Sequence, residues 1–401
     1  MATESSSDRP SVAALGAEGP YRVGELELPF RTGGTGFTLA KIGYPALEGG
    51  PLAHADKSGA PYPAVVLAPA TWSETGTKTG TKTAASRLDW LSRHLVQHGY
   101  VVFRYAPEGA LGTDPDLHAD TITDAFDRLV DADQERFTPL RGLVDTSAFA
   151  AVGVSAGAAG ALAAAARDKR IRAVVGIAPG RNPKEADTYA LVDSAVAAVR
   201  VPALILAGQH DKVSSGAALH YWDLIPQGYK VYLEISGGNH AQFLGPGDAD
   251  VRRPGQPRDG KPGIPAARQH ALANLYATAF LNAALKGHAD YEAYLHGESG
   301  RAALDEGVLS DMRHVPGPLP MPPPASGGVF AAAAAAPVGA ALGNAVQAGA
   351  SLLATLDHRV SVLVRAAGAG LDRRLAALRG PRPGPNTLTD PPKPAGPPPL
   401  P

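Results

Sequence analysis

The chain has 401 residues, with 37 Lys plus Arg against 38 Asp plus Glu, and its formal net charge is −1 at pH 7. This near-neutral balance gives no electrostatic basis for binding nucleic acid or anionic lipid. The sequence contains no cysteine, which excludes disulfides, thiolate catalysis and cysteine-ligated zinc. A chain of this length predicts one large domain with an appendage.

The N-terminal residues show no basic start followed by an apolar run, which is the pattern of a secretory signal peptide. We therefore expect no signal peptide and a cytoplasmic location. Residues 1–18 are predicted to form a disordered lead.

Short apolar segments then alternate with helical segments along the chain. Near-continuous runs of Val, Ile, Leu and Ala predict strands covered on both faces, at residues 64–68, 100–105, 148–154, 173–178, 203–207 and 231–235. Helices are predicted at residues 84–98, 120–137, 156–167, 188–199, 216–225 and 265–286. Two alternating segments, residues 21–28 and 37–44, predict an antiparallel pair ahead of the first buried strand. The pattern indicates a mostly parallel central sheet flanked by helices, an α/β fold over residues 19–314.

The composition changes after residue 314. Clustered prolines predict a stiff hinge at residues 315–328. Residues 329–380 are Ala-rich and predict a helical segment, and residues 381–401 predict a disordered Pro-rich tail. For the Ala-rich segment, packing on the first domain, self-association and loose interfacial binding are each favoured over a transmembrane helix. The oligomeric state is left open.

The most informative local feature is the pentapeptide Gly153-Val154-Ser155-Ala156-Gly157. It lies between the predicted strand at 148–154 and the predicted helix at 156–167. A strand, a tight glycine turn and a helix together form a nucleophile elbow, which exposes a serine hydroxyl for attack. In a chain so rich in glycine the pentapeptide also fits an ordinary turn, so its interpretation depends on residues farther along the chain.

Two candidate partners for Ser155 follow later strands. Asp211 lies just past the strand at 203–207, and His240 lies in a glycine-rich loop after the strand at 231–235. Each fits an ordinary loop residue when taken alone. The order serine, acid, histidine, with each residue beyond a strand end, is the order of the α/β-hydrolase triad. We therefore predict that Ser155, His240 and Asp211 act as nucleophile, general base and orienting carboxylate.

An acyl-transfer site also needs two donors for the oxyanion of the tetrahedral intermediate. The Ala156 amide is the first candidate, because it follows the nucleophile. The second is expected in the loop after the strand at 64–68, where the Thr71 amide is favoured and Trp72 is the alternative. The histidines at 54, 94, 98, 210 and 220 show no spacing suited to zinc, and no metal or organic cofactor is expected.

These residues resemble the α/β-hydrolase superfamily. The chain is most similar to the branch of dienelactone hydrolases, platelet-activating-factor acetylhydrolase-like esterases and cutinase-like polyester hydrolases. The matching segments run in collinear order over residues 19–290, and they include GPYRVGELELPF, AVVLAPATW, LSRHLVQHGYVVFRY, GVSAG, VPALILAGQHDKV and ISGGNHAQF. The resemblance implies the α/β-hydrolase fold and cleavage of esters.

Three positions depart from the cutinase-like pattern. Thr71 stands where an aromatic residue is usual, Val154 replaces the histidine before the nucleophile, and residues 178–182 lack the usual tryptophan. Arg181 in that last stretch either meets an anionic group of the substrate or is simply solvated, and the solvated interpretation is favoured.

The residues therefore favour a serine esterase, lipase-like in its chemistry, that cleaves carboxylic esters through an acyl-enzyme. The segment between Gly180 and the strand at 203–207 is too short for a helical cap, so we expect an open cleft. The expected partner is a small-molecule or lipid-like ester and not a nucleic acid; membrane contact through the C-terminal segment is less favoured. The alternatives are an acyltransferase with the same triad, and a non-catalytic hydrolase-like scaffold that acts through the C-terminal segment.

Overall fold

The structure, a computed structural model, describes residues 15–32, 37–70, 88–105, 114–181, 186–214, 216–226, 228–245 and 258–320. All of them lie in the first of two units into which the chain divides, Met1–Ala325. The predicted helical segment at 329–380 and the tail at 381–401 lie outside the described residues.

Within the described residues, ten strands form one mixed sheet. Numbered along the chain, they are β1 Arg22–Arg31, β2 Phe37–Ala46, β3 Gly50–Pro51, β4 Tyr62–Ala68, β5 Val101–Arg104, β6 Val144–Val154, β7 Ile171–Ile177, β8 Ala203–Gly208, β9 Lys230–Ile235 and β10 Leu309–Val315. Their order across the sheet is β10-β9-β8-β7-β6-β4-β5-β2-β1-β3. The neighbours from β5 through β4, β6, β7 and β8 to β9 pair in parallel, so the carboxyl ends of β6, β8 and β9 meet at one edge of the sheet.

The central strands are buried on both faces, as their unbroken apolar sequences predict. All seven residues of β4 are buried. Its alternate residues point to opposite sides: Ala64 and Val66 belong to one core cluster, while Val65 and Leu67 belong to the other. The two clusters lie on the two sides of the sheet, and helices cover both.

The larger helices agree with the predicted pattern. Along the chain the described helices are α1 Asp89–Gln97, α2 Pro115–Gln134, α3 Ala156–Arg167, α4 Ala186–Val196, α5 Ala217–Leu224, α6 His240–Leu244, α7 Ala266–Lys286, a 3-10 turn at Ala289–Tyr291, α8 Glu292–Leu295 and α9 Glu298–Asp305. None of these helices is both long enough and apolar enough to cross a bilayer. Together with the sheet they confirm the predicted α/β-hydrolase architecture.

The predicted antiparallel pair ahead of the first buried strand is present as β1 and β2. By contrast, β10 was not expected from the sequence. It lies at one end of the sheet, antiparallel to β9, and only Leu309 of its seven residues is buried. A half-exposed end strand carries too few apolar residues to produce the continuous pattern that predicts a central strand.

The predicted domain boundaries move at both ends. Leu15 lies within the predicted disordered lead, yet it is 1% exposed and belongs to the apolar core. Val315 completes β10, and Leu319 packs against the same core cluster. The ordered domain therefore includes residues from both the predicted lead and the predicted hinge, because burial of these isolated apolar side chains favours their order.

Candidate active site

Ser155 occupies the sharp turn that the pentapeptide predicts. It lies between β6 and α3 with φ 58° and ψ −120°, a region that non-glycine residues rarely adopt. This backbone strain is held by neighbouring bonds: the Ser155 N–H donates to the Ile177 carbonyl at 2.9 Å, and the Gly180 N–H donates to the Ser155 carbonyl at 2.8 Å. The side chain is thereby presented at the carboxyl edge of the sheet.

Both glycines of the pentapeptide are required by close approach of the backbone. A Cβ on Gly153 would lie 2.1 Å from the Gly157 carbonyl oxygen. A Cβ on Gly157 would lie 2.4 Å from the Pro69 carbonyl oxygen, at the end of β4. Neither of these two positions therefore has room for a side chain.

The structure brings the three predicted triad side chains into one hydrogen-bonded chain. His240 Nε2 lies 3.0 Å from Ser155 Oγ, and His240 Nδ1 lies 2.8 Å from Asp211 Oδ2. An ionised carboxylate beside Nδ1 accepts a hydrogen bond from the N–H at that nitrogen, which leaves Nε2 unprotonated as the acceptor for the serine hydroxyl. The His240 and Asp211 side chains are 4% and 8% exposed, so bulk water competes little for these bonds.

His240 belongs to a short helix, which corrects the predicted loop position. The glycine-rich loop ends at Asn239, and His240 is the first residue of α6. The Asn239 side chain accepts a hydrogen bond from the Gln242 N–H at 3.1 Å, which satisfies one of the free amides at the helix start. The imidazole is thus carried by a capped helical turn rather than by a free loop.

Ser214, which sequence reasoning missed, completes the surroundings of Asp211. Its hydroxyl donates to Asp211 Oδ2 at 2.7 Å, and its backbone N–H donates to Asp211 Oδ1 at 2.9 Å. Burial acts to raise the pKa of Asp211, but the charge and hydrogen bond of His240 and the bonds from Ser214 outweigh it, so this pKa lies below its ordinary value. The carboxyl group therefore stays ionised beside the imidazole.

One of the predicted oxyanion donors lies within the described residues. Ala156 is the first residue of α3, and amides in the first turn of a helix have no partner within that helix. A Cβ at position 180 would lie 3.1 Å from the Ala156 nitrogen and 3.2 Å from Ser155 Oγ, so Gly180 leaves space beside both. The other predicted donor, the Thr71 amide, and its alternative Trp72 lie outside the described residues.

Arg181 is not simply solvated, which corrects the interpretation favoured from the sequence. Its guanidinium donates to Asp193 Oδ2 at 2.9 Å, and this bond to a carboxylate raises the pKa of Arg181. His220 Nε2 lies 3.0 Å from the other Asp193 oxygen. The residue that follows Gly180 is therefore an arginine whose guanidinium is bound to Asp193 of α4.

Residues 6–252 match the PETase family model, which is described as PET hydrolase-like. The chain belongs to this family. Membership of the PET hydrolase-like family confirms the predicted resemblance to the ester hydrolase branch of the α/β-hydrolases.

Individual relatives are similar at low identity. Cutinase est2 of Thermobifida alba is 27% identical over 226 residues, which are 55% of this chain and 63% of that protein. Cutinase 2 of Thermobifida cellulosilytica is 27% identical over 235 residues, 58% of this chain and 76% of that protein. Cutinase cut1 of Thermobifida fusca is 27% identical over 235 residues, 58% of this chain and 62% of that protein. The chain thus spans less than two thirds of the length of two of these three relatives.

Proposed function

We propose that this PET hydrolase-like protein is a serine ester hydrolase with Ser155 as nucleophile, His240 as general base and Asp211 as orienting carboxylate. The observation that carries the proposal is the unbroken hydrogen-bonded chain from Ser155 Oγ through the imidazole to Asp211. A serine hydroxyl is a weak nucleophile until a base removes its proton, and His240 Nε2 stands at the distance that this transfer requires.

In the first stage, Ser155 Oγ forms a bond to the acyl carbon of the ester while its proton passes to His240 Nε2. Negative charge then develops on the former carbonyl oxygen, and the Ala156 N–H is the donor we assign to it. As the intermediate collapses, the C–O bond to the alcohol breaks, and His240 returns the proton to the departing oxygen. Asp211 stabilises the imidazolium that exists between these transfers.

In the second stage, a water molecule gives its proton to His240 Nε2 and attacks the acyl carbon of the acyl-enzyme. Collapse releases the carboxylic acid and returns the proton to Ser155 Oγ. The same residues therefore act twice, and hydrolysis requires no redox partner. Activity should fall on the acid side of neutrality, because a protonated imidazole accepts no proton from Ser155.

The substrates that we propose are flexible carboxylic esters of medium length or longer. In the described residues between β7 and β8 there is one helix, α4, and no inserted helical cap. Gly180 contributes no side chain beside the nucleophile. The similarity of the chain to cutinases supports an ester substrate.

The decisive experiment compares Ser155→Ala with the unaltered protein on p-nitrophenyl esters of increasing acyl length. We expect turnover of every ester to fall by roughly 10³-fold or more, together with loss of fluorophosphonate labelling, while circular dichroism stays unchanged. Ser147→Ala, at an exposed serine of β6, is the matched control and should keep full activity. Undiminished labelling of Ser155→Ala would place the nucleophile elsewhere, and a sharp cut-off after the acetyl ester in the unaltered protein would contradict the open cleft.

A further inference from the structure

Asp259 contacts the backbone next to two members of the triad. Its Oδ1 accepts a hydrogen bond from the Lys212 N–H at 3.1 Å, and its Oδ2 accepts one from the Ala241 N–H at 2.8 Å. Lys212 directly follows Asp211, and Ala241 directly follows His240. A single carboxylate therefore joins the chain immediately after the orienting acid to the chain immediately after the base.

Asp259 adds to a direct contact between two loops: the loop after β8, which carries Asp211, and the loop after β9, which leads into His240. Ahead of the triad residues, the His210 N–H donates to the Gly238 carbonyl at 2.7 Å. Asp259 supplies the link that follows the triad residues, through the N–H groups of Lys212 and Ala241. Without it, the backbone after Asp211 and the helix that begins at His240 would lose the carboxylate that they share, and hydrogen bonds to an ionised carboxylate are among the stronger ones in proteins.

Asp259 is itself held against both loops. Its Oδ1 also accepts from the Gly260 N–H at 2.8 Å, and the Gly260 carbonyl accepts from Asn239 Nδ2 at 2.9 Å. A Cβ on Gly260 would lie 2.1 Å from the His210 carbonyl oxygen, so this segment packs directly against the Asp211 loop. The carboxylate is thus anchored to the elements that it joins.

We propose that Asp259 is a positioning residue that sets the separation and orientation of Asp211 and His240. The inference rests on the proposed function, since it assumes that these two side chains act together. The Asp259 carboxylate accepts from backbone N–H groups, so it acts through the backbone that carries Asp211 and His240. A displacement of about 1 Å between catalytic groups can reduce a rate by as much as about 100-fold, so the loss of this link should appear in turnover rather than in substrate binding.

Asp133 offers a matched control. It is a partly buried aspartate whose Oδ1 accepts from the backbone N–H groups of Leu143 and Val144, each at 2.9 Å. These amides lie at the start of β6, the opposite end of the strand from Ser155. Asp133→Ala therefore removes a comparable carboxylate-to-backbone link without touching the site.

The experiment measures kcat, KM, thermal stability and the pH profile of kcat for the full chain and for Asp259→Ala, Asp259→Asn and Asp133→Ala. We expect Asp259→Ala to lower kcat by about 10- to 100-fold with KM changed less than about twofold. Asp259→Asn, which keeps one acceptor oxygen, should fall between. Because a well-placed Asp211 favours the protonated imidazole, the acidic limb of the profile should move to lower pH in the Asp259 variants. Asp133→Ala should lose stability but keep the kcat and the pH profile of the unaltered protein.

The inference is overturned if both Asp259 variants keep the kcat and pH profile of the unaltered protein, or if Asp133→Ala loses kcat in proportion to its stability as the Asp259 variants do. If Asp259→Ala does not fold, Asp259→Asn decides the matter by the same criteria. Failure of the proposed function is recognised separately: the unaltered protein would then show no esterase activity that depends on Ser155.

Discussion

Asp211 is a carboxylate buried beside an imidazole, and its ionised state depends on the donors around it. Burial alone would raise its pKa, whereas His240 and Ser214 together hold the pKa below its ordinary value. The Ser214 hydroxyl lies 2.7 Å from Asp211 Oδ2 and 3.2 Å from His240 Nδ1. Ser214 thus contacts both members of the acid–base pair and completes the shell of donors around one carboxylate oxygen.

Replacing Ser214 by Ala tests this arrangement. The variant loses one hydrogen bond to an ionised group, and part of that loss should appear in the transition state, so we expect kcat to fall by about tenfold with KM unchanged. The control is Ser310→Ala. It removes a hydroxyl of β10 that donates to Glu234 Oε1 at 2.6 Å. Steady-state kinetics on a p-nitrophenyl ester measures both variants, and a Ser214→Ala enzyme with unchanged kcat would show that the hydroxyl is dispensable.

At the scale of elements, the site depends on how closely α3 approaches the end of β4. Helix α3 starts directly after Ser155, and its second residue is Gly157. The carbonyl oxygens of Ala68 and Pro69 stand where a Cβ at position 157 would lie, at 2.5 and 2.4 Å. Backbone carbonyls cannot move aside as a flexible side chain can, so the spacing between helix and strand requires glycine at this position.

Gly157→Ala should therefore separate α3 from β4. We expect a loss of stability of about 1–3 kcal/mol, the usual effect of overpacking, and a fall in kcat because Ser155 moves with the helix. Gly49→Ala is the control, since the nearest atom to its Cβ would be at 3.9 Å. Urea unfolding and ester turnover measure the two effects; a Gly157→Ala protein as stable and active as the Gly49→Ala protein would refute the close approach.

At the scale of the whole molecule, buried and partly buried histidines make the fold sensitive to acid. Burial lowers the pKa of His118 to about 4, and burial followed by the neighbouring His98 lowers the pKa of His94 to about 3. Burial, followed by His296, lowers the pKa of His314 to about 4. These three residues lie on α2, α1 and β10, so the effect is spread over the domain. Below the ordinary histidine pKa of 6.5 the unfolded chain binds protons that the folded chain does not, and stability falls.

The prediction is that stability is fully present above pH 6.5 and declines as the pH falls toward 4. Each such histidine contributes a slope of about 1.4 kcal/mol per pH unit within its window. His118→Asn should flatten the decline, whereas His54→Asn should not, because the His54 side chain is 85% exposed. Thermal unfolding at several pH values between 7.5 and 4.5 measures the slopes; equal slopes for both variants and the unaltered protein would exclude this cause.

Much of the fold was predictable because the central strands carry their own signal. Strands buried on both faces must be apolar at every position, as in β4 and β8, and such runs are visible without a structure. The proximity of Ser155, Asp211 and His240 was predictable for a related reason. In a parallel sheet the residues that follow strand ends share one edge, and each of these three follows a strand. The half-exposed β10 and the burial of Leu15 carry no such local signal.

The contacts that refine the site could not be predicted in the same way. Asp259 lies 47 residues from Lys212 and 18 from Ala241 along the chain, and nothing in its local sequence marks it. The contact of Ser214 with His240 and that of Arg181 with Asp193 are likewise set by which helices and loops pack nearby. The second oxyanion donor, predicted at Thr71, stays a prediction.

The amino-acid sequence by itself determined the type of fold, the strand, turn and helix around Ser155, and the order of Ser155, Asp211 and His240 beyond the strand ends, because periodicity and local turn patterns are properties of consecutive residues. Only the tertiary structure decided which polar groups meet across the chain: the donors that keep Asp211 ionised, the carboxylate of Asp259 that joins two loops, and the partner that neutralises Arg181. Such contacts depend on distances between elements, and those distances are set by packing of the whole core rather than by any local pattern.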